Sequence, residues 1–250
     1  MPGVEVDLPS NFGATPLLVA AHNGVVDVVA LLLSVSGVDV NTALTADGNT
    51  PLIDAVREGH LDVVVRLLAA PGLEVDLPNN YGTTPLLVAA GNGRLDLVEV
   101  LLSEPGVDVN TALTANGNTP LITAASGGHL DVVNRLLAVP GVNVNLASNI
   151  GATALYRAIQ IGRTDVVDRL LSAAGVDGNK AMIGSGITPL FFAAYHGYLH
   201  VVDRLLAAPG VDANMACRDG ATPLGAALHR GHADVAQRLR RAAGATEPHG

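Results

Sequence analysis

The sequence predicts an all-α protein in which short helical hairpins stack side by side as a solenoid. Two observations predict it. Apolar residues make up 49% of the chain, yet they occur in short runs that Asp, Asn and Gly interrupt. A block related to Gly-x-Thr-Pro-Leu returns every 34 or 35 residues, with its threonine at Thr15, Thr50, Thr84, Thr119, Thr153, Thr188 and Thr222. Such a period is typical of units too small to bury their apolar face without a neighbour.

The first copy illustrates the elements that each copy predicts. Thr15 is placed to cap a helix, because its hydroxyl can accept a bond from an unpaired backbone N–H, and Pro16 suits the first helical position. Gly24 can adopt the left-handed conformation that ends this helix. A second helix carries Val and Leu at helical spacing, and residues 37–41 lead into an extended turn. Each copy therefore predicts a helix, a turn, a helix and a projecting loop.

This pattern resembles the ankyrin repeat family over essentially the whole chain. Gly59-His60 and Gly128-His129 match the family's Gly-His pair, which precedes the second helix of each repeat. The resemblance implies an ankyrin-repeat solenoid of stacked helix-turn-helix units with projecting β-turn loops. Ala154 replaces the usual proline and should weaken that helix start slightly. A second departure is the loss of the histidine that follows Thr-Pro-Leu in the family, replaced here by Leu18, Ile53, Leu87, Ile122, Phe191 and Gly225.

The repeats predict a single domain over residues 1–250. Residues 1–10 read as the tail of a partial repeat, and the seven repeats begin near residues 11, 46, 80, 115, 149, 184 and 218. Steps of 35 and 34 residues alternate, so a pair of repeats is the predicted unit of duplication.

The two ends of the array differ. The last copy carries Ala236, Arg240 and Arg241 where the preceding copy has Val202, Leu206 and Ala207, which predicts a polar C-terminal cap. The first copy has no such cap, so either the array is cut from a longer protein or something else covers its N-terminal edge. The alternative is that a short tail simply tolerates some exposure.

Composition argues against several classes of partner. The formal charge of −9 and the absence of a dense Lys/Arg tract argue against nucleic acid. No apolar run approaches the length of a membrane span, and residues 1–10 lack the features of a secretory signal. Cys217 is the only cysteine, so no intrachain disulfide can form. The sequence therefore predicts a monomer in the cytoplasm, with the nucleus as the other compartment, and no membrane or nucleic-acid partner.

The sequence does not predict an enzyme, a cofactor or a metal site. His196 and His200 are four residues apart, but Gly197 lies between them at an expected helix break. The histidines of the Gly-His position predict a structural role. Asp-to-Arg pairs at i and i+4 predict a solvated stripe on the second helices, at Asp62–Arg66, Asp131–Arg135, Asp165–Arg169 and Asp234–Arg238. By resemblance alone, the Asn that closes each repeat matches a hydroxylated position of some ankyrin proteins, but turn formation explains it as well.

The resemblance implies a non-catalytic module that binds a partner protein through a concave face of first helices and loop tips. Positions that differ between copies within a fixed frame are the candidate contacts. At the loop tips they are Phe12, Tyr81 and Ile150. At the ends of the first helices they are Arg57, Glu58, Gln160, Ile161, Tyr195, His196, His229 and Arg230, and Phe192 is added as an aromatic side chain expected to be exposed.

Aromatic residues indicate where the contact centre lies. Tyr156, Phe191, Phe192, Tyr195 and Tyr198 are five of the seven Phe and Tyr residues and fall within two adjacent copies. Aromatic side chains are enriched at binding hot spots, because a rigid ring buries much area at little entropic cost. The fifth and sixth copies are therefore the predicted centre. For Tyr156 and Phe191 the alternative is that they only fill the groove between helices.

Two other functions are open at this stage. The chain could be a targeting or scaffold arm of a longer protein with an upstream catalytic domain, which the uncapped first copy would permit. It could also be an engineered array without a natural ligand, as the regular first two pairs of repeats suggest. Drift in the later copies, such as Ala154 and Gly178, favours natural divergence over engineering.

Overall fold

The computed structural model of the protein describes residues 6–11, 13–44 and 46–244. Within these ranges the regular elements are fourteen α-helices, and the only strand-like pairing is an isolated bridge between Ala147 and Thr153. The all-α prediction is confirmed.

The chain divides into two compact units, Met1–Pro120 and Leu121–Gly250. The prediction of one repeat domain stays a prediction, and each unit is described by itself. The first contains α1 (Pro16–His22), α2 (Val26–Leu33), α3 (Pro51–Glu58), α4 (Leu61–Leu68), α5 (Pro85–Gly91) and α6 (Leu95–Leu102). The second contains α7 (Pro120–Gly127, whose first residue closes the first unit), α8 (Leu130–Leu137), α9 (Ala154–Gln160), α10 (Thr164–Leu171), α11 (Pro189–His196), α12 (Leu199–Ala207), α13 (Pro223–Arg230) and α14 (Ala233–Ala242). Odd-numbered helices are the first helices of the repeats, and even-numbered helices are the second.

The threonine of each Thr-Pro-Leu block starts a first helix as predicted. The Thr15 hydroxyl accepts a bond from the backbone N–H of Leu18 at 3.3 Å, with Pro16 at the first helical position. At α9 the helix still begins at Ala154, capped by Thr153, so the missing proline does not move the helix start. The same cap recurs at Thr50, Thr84, Thr188 and Thr222.

Within the first unit, first helices pack on first helices and second helices on second helices. α1 contacts α3 and α3 contacts α5, while α2 contacts α4 and α4 contacts α6. Small residues such as Ala55 and Ala89, both fully buried, allow the first helices to approach closely. Leu67 and Leu101 fill the layer of the second helices. The core is therefore a row of contacts between neighbouring repeats.

The second unit repeats this arrangement. α9 contacts α11 and α11 contacts α13, while α8, α10, α12 and α14 pack in order. Ala158 and Ala193 are fully buried between first helices, and Val167 and Leu205 lie in the layer of second helices.

The projecting loops are joined by side-chain amides at the end of each repeat. The Asn145 side chain donates to the Gly175 carbonyl at 2.7 Å and accepts from the Asp177 backbone N–H at 2.7 Å. Asn41 and Asn179 bridge to the next loop in the same way. These asparagines therefore hold successive loops in register, which accounts for them without hydroxylation.

Asp76 occupies the same place with a carboxylate. One oxygen, Oδ2, accepts from the Asp108 backbone N–H at 3.2 Å and from the Thr111 hydroxyl at 3.3 Å. Its other oxygen, Oδ1, is buried and has no hydrogen-bond partner. Burial raises the pKa of Asp76, although the two hydrogen bonds oppose this and the charge of Asp108 adds to it. A carboxylate is thus a poorer bridge here than an amide.

The first repeat exposes apolar side chains at its outer face. Val28 is 42% exposed, whereas Val63, at the same position one repeat later, is 1% exposed. Leu8, Val19 and Val25 line an open groove of about 580 Å³ beside it. These residues form the edge that the sequence predicted to lack a cap.

The last helix, α14, is polar on its outer side. Arg240 and Arg241 are exposed, as predicted, whereas Ala236 is buried. The inclusion of Ala236 in the polar face was therefore wrong: like Val202 one repeat earlier, it packs in the core. A capping role for the last repeat stays a prediction.

Candidate functional site

Most of the predicted contact residues lie at the surface. In the first unit Arg57 and Glu58 end α3 and are exposed, and Tyr81, at a loop tip, is 57% exposed. Phe12 lies outside the described residues. In the second unit the exposed candidates are Ile150, Gln160, Ile161, His196, His229 and Arg230, while Phe192 and Tyr195 are half-buried.

Hydrogen bonds to backbone carbonyls join successive loop tips. The Tyr81 carbonyl accepts from the Thr114 N–H at 3.2 Å, and the Ile150 carbonyl accepts from the Ile183 N–H at 2.9 Å. These bonds fix the backbone while the Tyr81 and Ile150 side chains project outward. The two side chains are therefore held in place for contact with another molecule.

Aromatic rings link α9 to α11 in the second unit. The ring centroids of Tyr156 and Phe192 are 5.3 Å apart, and those of Phe192 and His196 are 4.3 Å apart. Tyr195 meets His196 edge-on at 5.1 Å, and Tyr198 stacks on it at 5.6 Å. We call these five side chains the aromatic strip. Their contacts restrict the rings, which lowers the entropy that a binding partner must remove.

The strip has a buried side and an accessible side. Tyr156 is 5% exposed, and burial raises the pKa of its hydroxyl against the opposing charge of Arg157. Tyr156 therefore fills the groove between helices, the alternative that the sequence left open for it. Phe191, the other residue in question, is half-buried. His196 is exposed and Phe192 and Tyr195 are partly exposed, so these three can be touched from outside.

Two arginines flank the aromatic strip. The Arg230 guanidinium, on α13, lies over the Tyr195 ring with Cζ 4.7 Å from the ring centroid. Arg157, on α9, donates from Nη1 to the Gln160 side chain at 2.8 Å. The Arg157 Nε is buried and lacks a hydrogen-bond partner. Sequence analysis missed Arg157, although it stands where other first helices carry Val88 or Asp54.

The first unit has a different surface at the equivalent positions. Asp54 is buried on α3, and the Arg57 guanidinium donates to it at 3.3 Å and to Asn49 at 3.2 Å. The buried Asn79 side chain donates to the same Asn49 oxygen at 2.8 Å. Burial raises the pKa of Asp54, while the positive charge of Arg57 opposes that shift. This polar network was not predicted, because its members come from two loops and a helix.

The histidines of the Gly-His position have the structural role that was predicted. The His60 Nε2 lies 3.0 Å from the His22 carbonyl, and the His232 Nε2 lies 3.1 Å from the Tyr195 carbonyl. Arginine can do the same: Arg94 donates to the Gly59 carbonyl at 3.2 Å. In each case the side chain ties a second helix to the end of the preceding repeat's first helix.

The prediction that Asp and Arg pair four residues apart on the same second helix was wrong. Arg204 meets Asp168 at 2.6 Å and Arg238 meets Asp203 at 2.5 Å, so each arginine reaches the second helix of the preceding repeat. Arg169 likewise donates to Asn134 at 2.6 Å. Among the described residues, none of the four i,i+4 pairs lies within ion-pair distance. Stacking places the neighbouring repeat's acceptor closer than the acceptor on the same helix.

His196 and His200 do not converge on one site. His196 contacts three aromatic rings, whereas the His200 Nε2 lies 3.8 Å from the Asp168 carboxylate. In the part of the chain that the structure describes, no group of three or more His, Cys, Asp or Glu side chains is arranged to hold a metal ion. Across those same residues, none of the helices has the length and apolar character needed to cross a bilayer.

The charge of −9 is unevenly distributed along the sequence. Residues 1–120 contain 14 Asp and Glu against three Lys and Arg, a formal charge of −11. Residues 121–250 contain nine acidic and eleven basic residues, a formal charge of +2. The acidic character of the chain therefore resides in the first unit, which the overall composition conceals.

Comparison with known proteins agrees with the repeated helical hairpins and their capping threonines. A family model described as ankyrin repeats (3 copies) matches residues 1–79 and 86–182, and a second, ankyrin repeats (many copies), matches residues 162–206 and 190–240. The chain belongs to the ankyrin repeat family. Ankyrin repeats generally serve as protein-interaction modules without catalytic activity.

A solved ankyrin repeat structure matches almost the whole chain. It is the crystal structure of the ankyrin repeat domain of Bcl-3, described as a unique member of the IkappaB protein family. The TM-score is 0.81 at 26% sequence identity, and the match covers 91% of this chain and 99% of that one. No curated protein matches the sequence significantly. The comparisons thus show the ankyrin fold and its general role in protein interaction.

Proposed function

We propose that this ankyrin repeat protein is a non-catalytic module that binds one partner protein through the first-helix side and loop tips of its second unit. The aromatic strip carries the proposal. Phe192, Tyr195 and His196 are held by ring contacts yet remain accessible, and Ile161 adds an exposed apolar side chain at the end of α9. Rigid aromatic side chains with partly exposed faces are the usual anchors of protein interfaces.

The fixed backbone around the strip favours binding over catalysis. Thr153 and Thr188 cap α9 and α11, and loop-to-loop hydrogen bonds secure the tips. The side chains at the strip therefore need little reordering when a partner binds. The strip offers aromatic rings and is flanked by two arginines, and it contains no paired carboxylates.

A capture experiment tests the proposal. The immobilised intact chain and a Phe192→Ala, Ile161→Ala double variant are exposed to the same cell extract, and the retained proteins are identified by mass spectrometry. The variant should lose at least one protein that the parent retains, because it loses the anchor side chains. Thermal unfolding of both proteins checks that the variant folds.

The control removes similar apolar side chains from the second helices. Val65 on α4 and Leu199 on α12 are exposed, so a Val65→Ala, Leu199→Ala variant should retain the partner. Equal recovery of every protein by parent and test variant would refute the proposed contact surface. Loss with the control variant alone would place the contact on the second helices.

A further inference from the structure

The first helices around the aromatic strip carry positive charge and no negative charge. α9, α11 and α13 contain Arg157 and Arg230 but no Asp or Glu. The paired carboxylates of this unit lie on second helices, where Asp168 and Asp203 are matched by arginines of the next repeat. The first helices themselves therefore supply no carboxylate to offset the two arginines, and the exposed Asp219, in the loop before α13, follows Arg218 in the sequence.

The Arg157 guanidinium is poised for an acceptor that the described part of the chain does not supply. Its Nε is buried without a hydrogen-bond partner, while Nη1 is held by Gln160. The Nε itself is closed to a ligand, but Nη2 is not buried and has no acceptor among the described residues, so a binding partner can accept a hydrogen bond from it. A carboxylate is the natural acceptor, because a hydrogen bond between a guanidinium and a carboxylate is charge-assisted and roughly twice as strong as a neutral one.

Arg230 presents a second cation next to apolar surface. Its guanidinium stacks on the Tyr195 ring, which in turn meets the ring of the exposed His196. A ligand for this face must therefore combine negative charge with an apolar or aromatic side chain. In the first unit, α3, which is equivalent to α11, carries Asp54 and Glu58 beside Arg57, so its own carboxylates offset the positive charge.

We infer that the first-helix face of the second unit binds an acidic peptide segment of its partner protein. Acidic side chains of the segment contact Arg157 and Arg230, and an apolar side chain packs against Phe192. This inference rests on the proposed function and adds the chemical class of the partner.

The probe is a phage-displayed library of random 12-residue peptides, selected on the intact chain. Selected peptides should be enriched in Asp and Glu over the unselected library and should contain an aromatic or large aliphatic residue. Fluorescence anisotropy then measures the Kd of one selected peptide. Replacing both arginines, as Arg157→Gln with Arg230→Gln, should raise that Kd about tenfold or more. Higher salt should also raise it, because screening weakens exposed charge pairs.

The matched control removes the same charge elsewhere in the unit. Arg240→Gln with Arg241→Gln alters two exposed arginines of α14 and should change the Kd less than about twofold. Thermal unfolding of each variant checks folding. Equal weakening by both double variants, recovery of no binding peptide, or no enrichment of acidic residues would overturn the inference.

The outcomes separate this inference from the proposed function. Peptides without acidic preference that still depend on Phe192 would leave the proposed function standing and refute the acidic partner. Single-stranded DNA that binds as tightly as the peptide, with the same dependence on Arg157 and Arg230, would assign the face to polyanions in general and also refute it. Peptide binding that depends on neither Phe192 nor the two arginines would refute both.

Discussion

Replacing Asp76 with asparagine should stabilise the protein at neutral pH. The Asp76 Oδ1 is buried without a partner, while Asn145 and Asn179 use an amide at the same place to donate to a glycine carbonyl of the next loop. The substitution would remove an unsatisfied buried charge. It would also allow the new amide to donate to the carbonyl of Gly106, which lies 30 residues after position 76 just as Gly175 lies 30 residues after Asn145. The two Asp76 bonds that exist now would be kept, because the amide oxygen can accept both.

The expected gain follows from the energetics of one hydrogen bond. An unsatisfied buried acceptor costs about 1–3 kcal/mol, and a new hydrogen bond nets about 0.5–1.5 kcal/mol. We expect the free energy of unfolding to rise by about 1–2 kcal/mol at pH 7. For a chain of this size, that gain raises the Tm by about 2–8 °C.

The gain should depend on pH in a defined direction. The pKa of Asp76 is raised by folding, so the folded state holds its proton more tightly than the unfolded state. The stability contributed by the protonated form is complete below the ordinary Asp pKa of about 4 and is lost as pH rises through the higher folded-state pKa. The parent should therefore match the Asp76→Asn variant most closely near pH 3.5, and the variant's advantage should be full at pH 7.

Urea unfolding followed by circular dichroism at both pH values measures the effect. Glu99→Gln is the control, because it removes one negative charge from an exposed position on α6 in the same unit. It should change stability by less than about 0.5 kcal/mol. An Asp76→Asn variant no more stable than the parent, or a gain equalled by Glu99→Gln, would refute the reasoning.

Three further predictions concern contacts between repeats, each measured by urea unfolding. Asn179→Ala should cost about 1–2 kcal/mol because two bonds to the next loop are lost. Asn214 holds the same position one repeat later, but it is exposed and its side chain makes no such bond among the described residues, so Asn214→Ala should cost less than about 0.5 kcal/mol. Val63→Ala should cost about 2 kcal/mol and Val28→Ala less than half of that, since only Val63 is buried by a neighbour. Arg94→Ala should cost about 1 kcal/mol by releasing the preceding repeat's carbonyl. Equal losses within either pair, or no loss for Arg94→Ala, would contradict the roles assigned to these contacts.

Local signals were sufficient for the frame of the fold. Thr15 followed by Pro16 predicts a helix start from sequence neighbours alone, and the structure confirms the same cap at Thr153 even though Ala154 replaces proline. The helix-turn-helix order could be predicted for every repeat, because the residues that start and end the helices recur every 34 or 35 residues.

Contacts across repeats were the part that local reasoning missed. Arg204 has no acid four residues before it, and its partner Asp168 lies 36 residues away on the second helix of the preceding repeat. The side chains of Asn49 and Asn79 likewise form a hydrogen bond although 30 residues separate them in the sequence. Such pairs require the packing distance between repeats, which a single repeat does not encode.

The candidate site was predictable in outline. The clustering of aromatic residues located the strip, but burial of Tyr156 and the unpaired Nε of Arg157 depend on how α9 and α11 pack. The charge of the second unit could have been found by counting the two halves of the sequence separately. The formal charge of −9 for the whole chain conceals the formal charge of +2 over residues 121–250.

Hydrogen–deuterium exchange measured with and without a bound, library-selected peptide tests most directly that the first helices of the second unit form the binding surface. The account predicts slower exchange at the C-terminal turns of α9, α11 and α13 when the peptide is bound. Slower exchange confined to the second helices α8, α10, α12 and α14, or to the first unit, would contradict it.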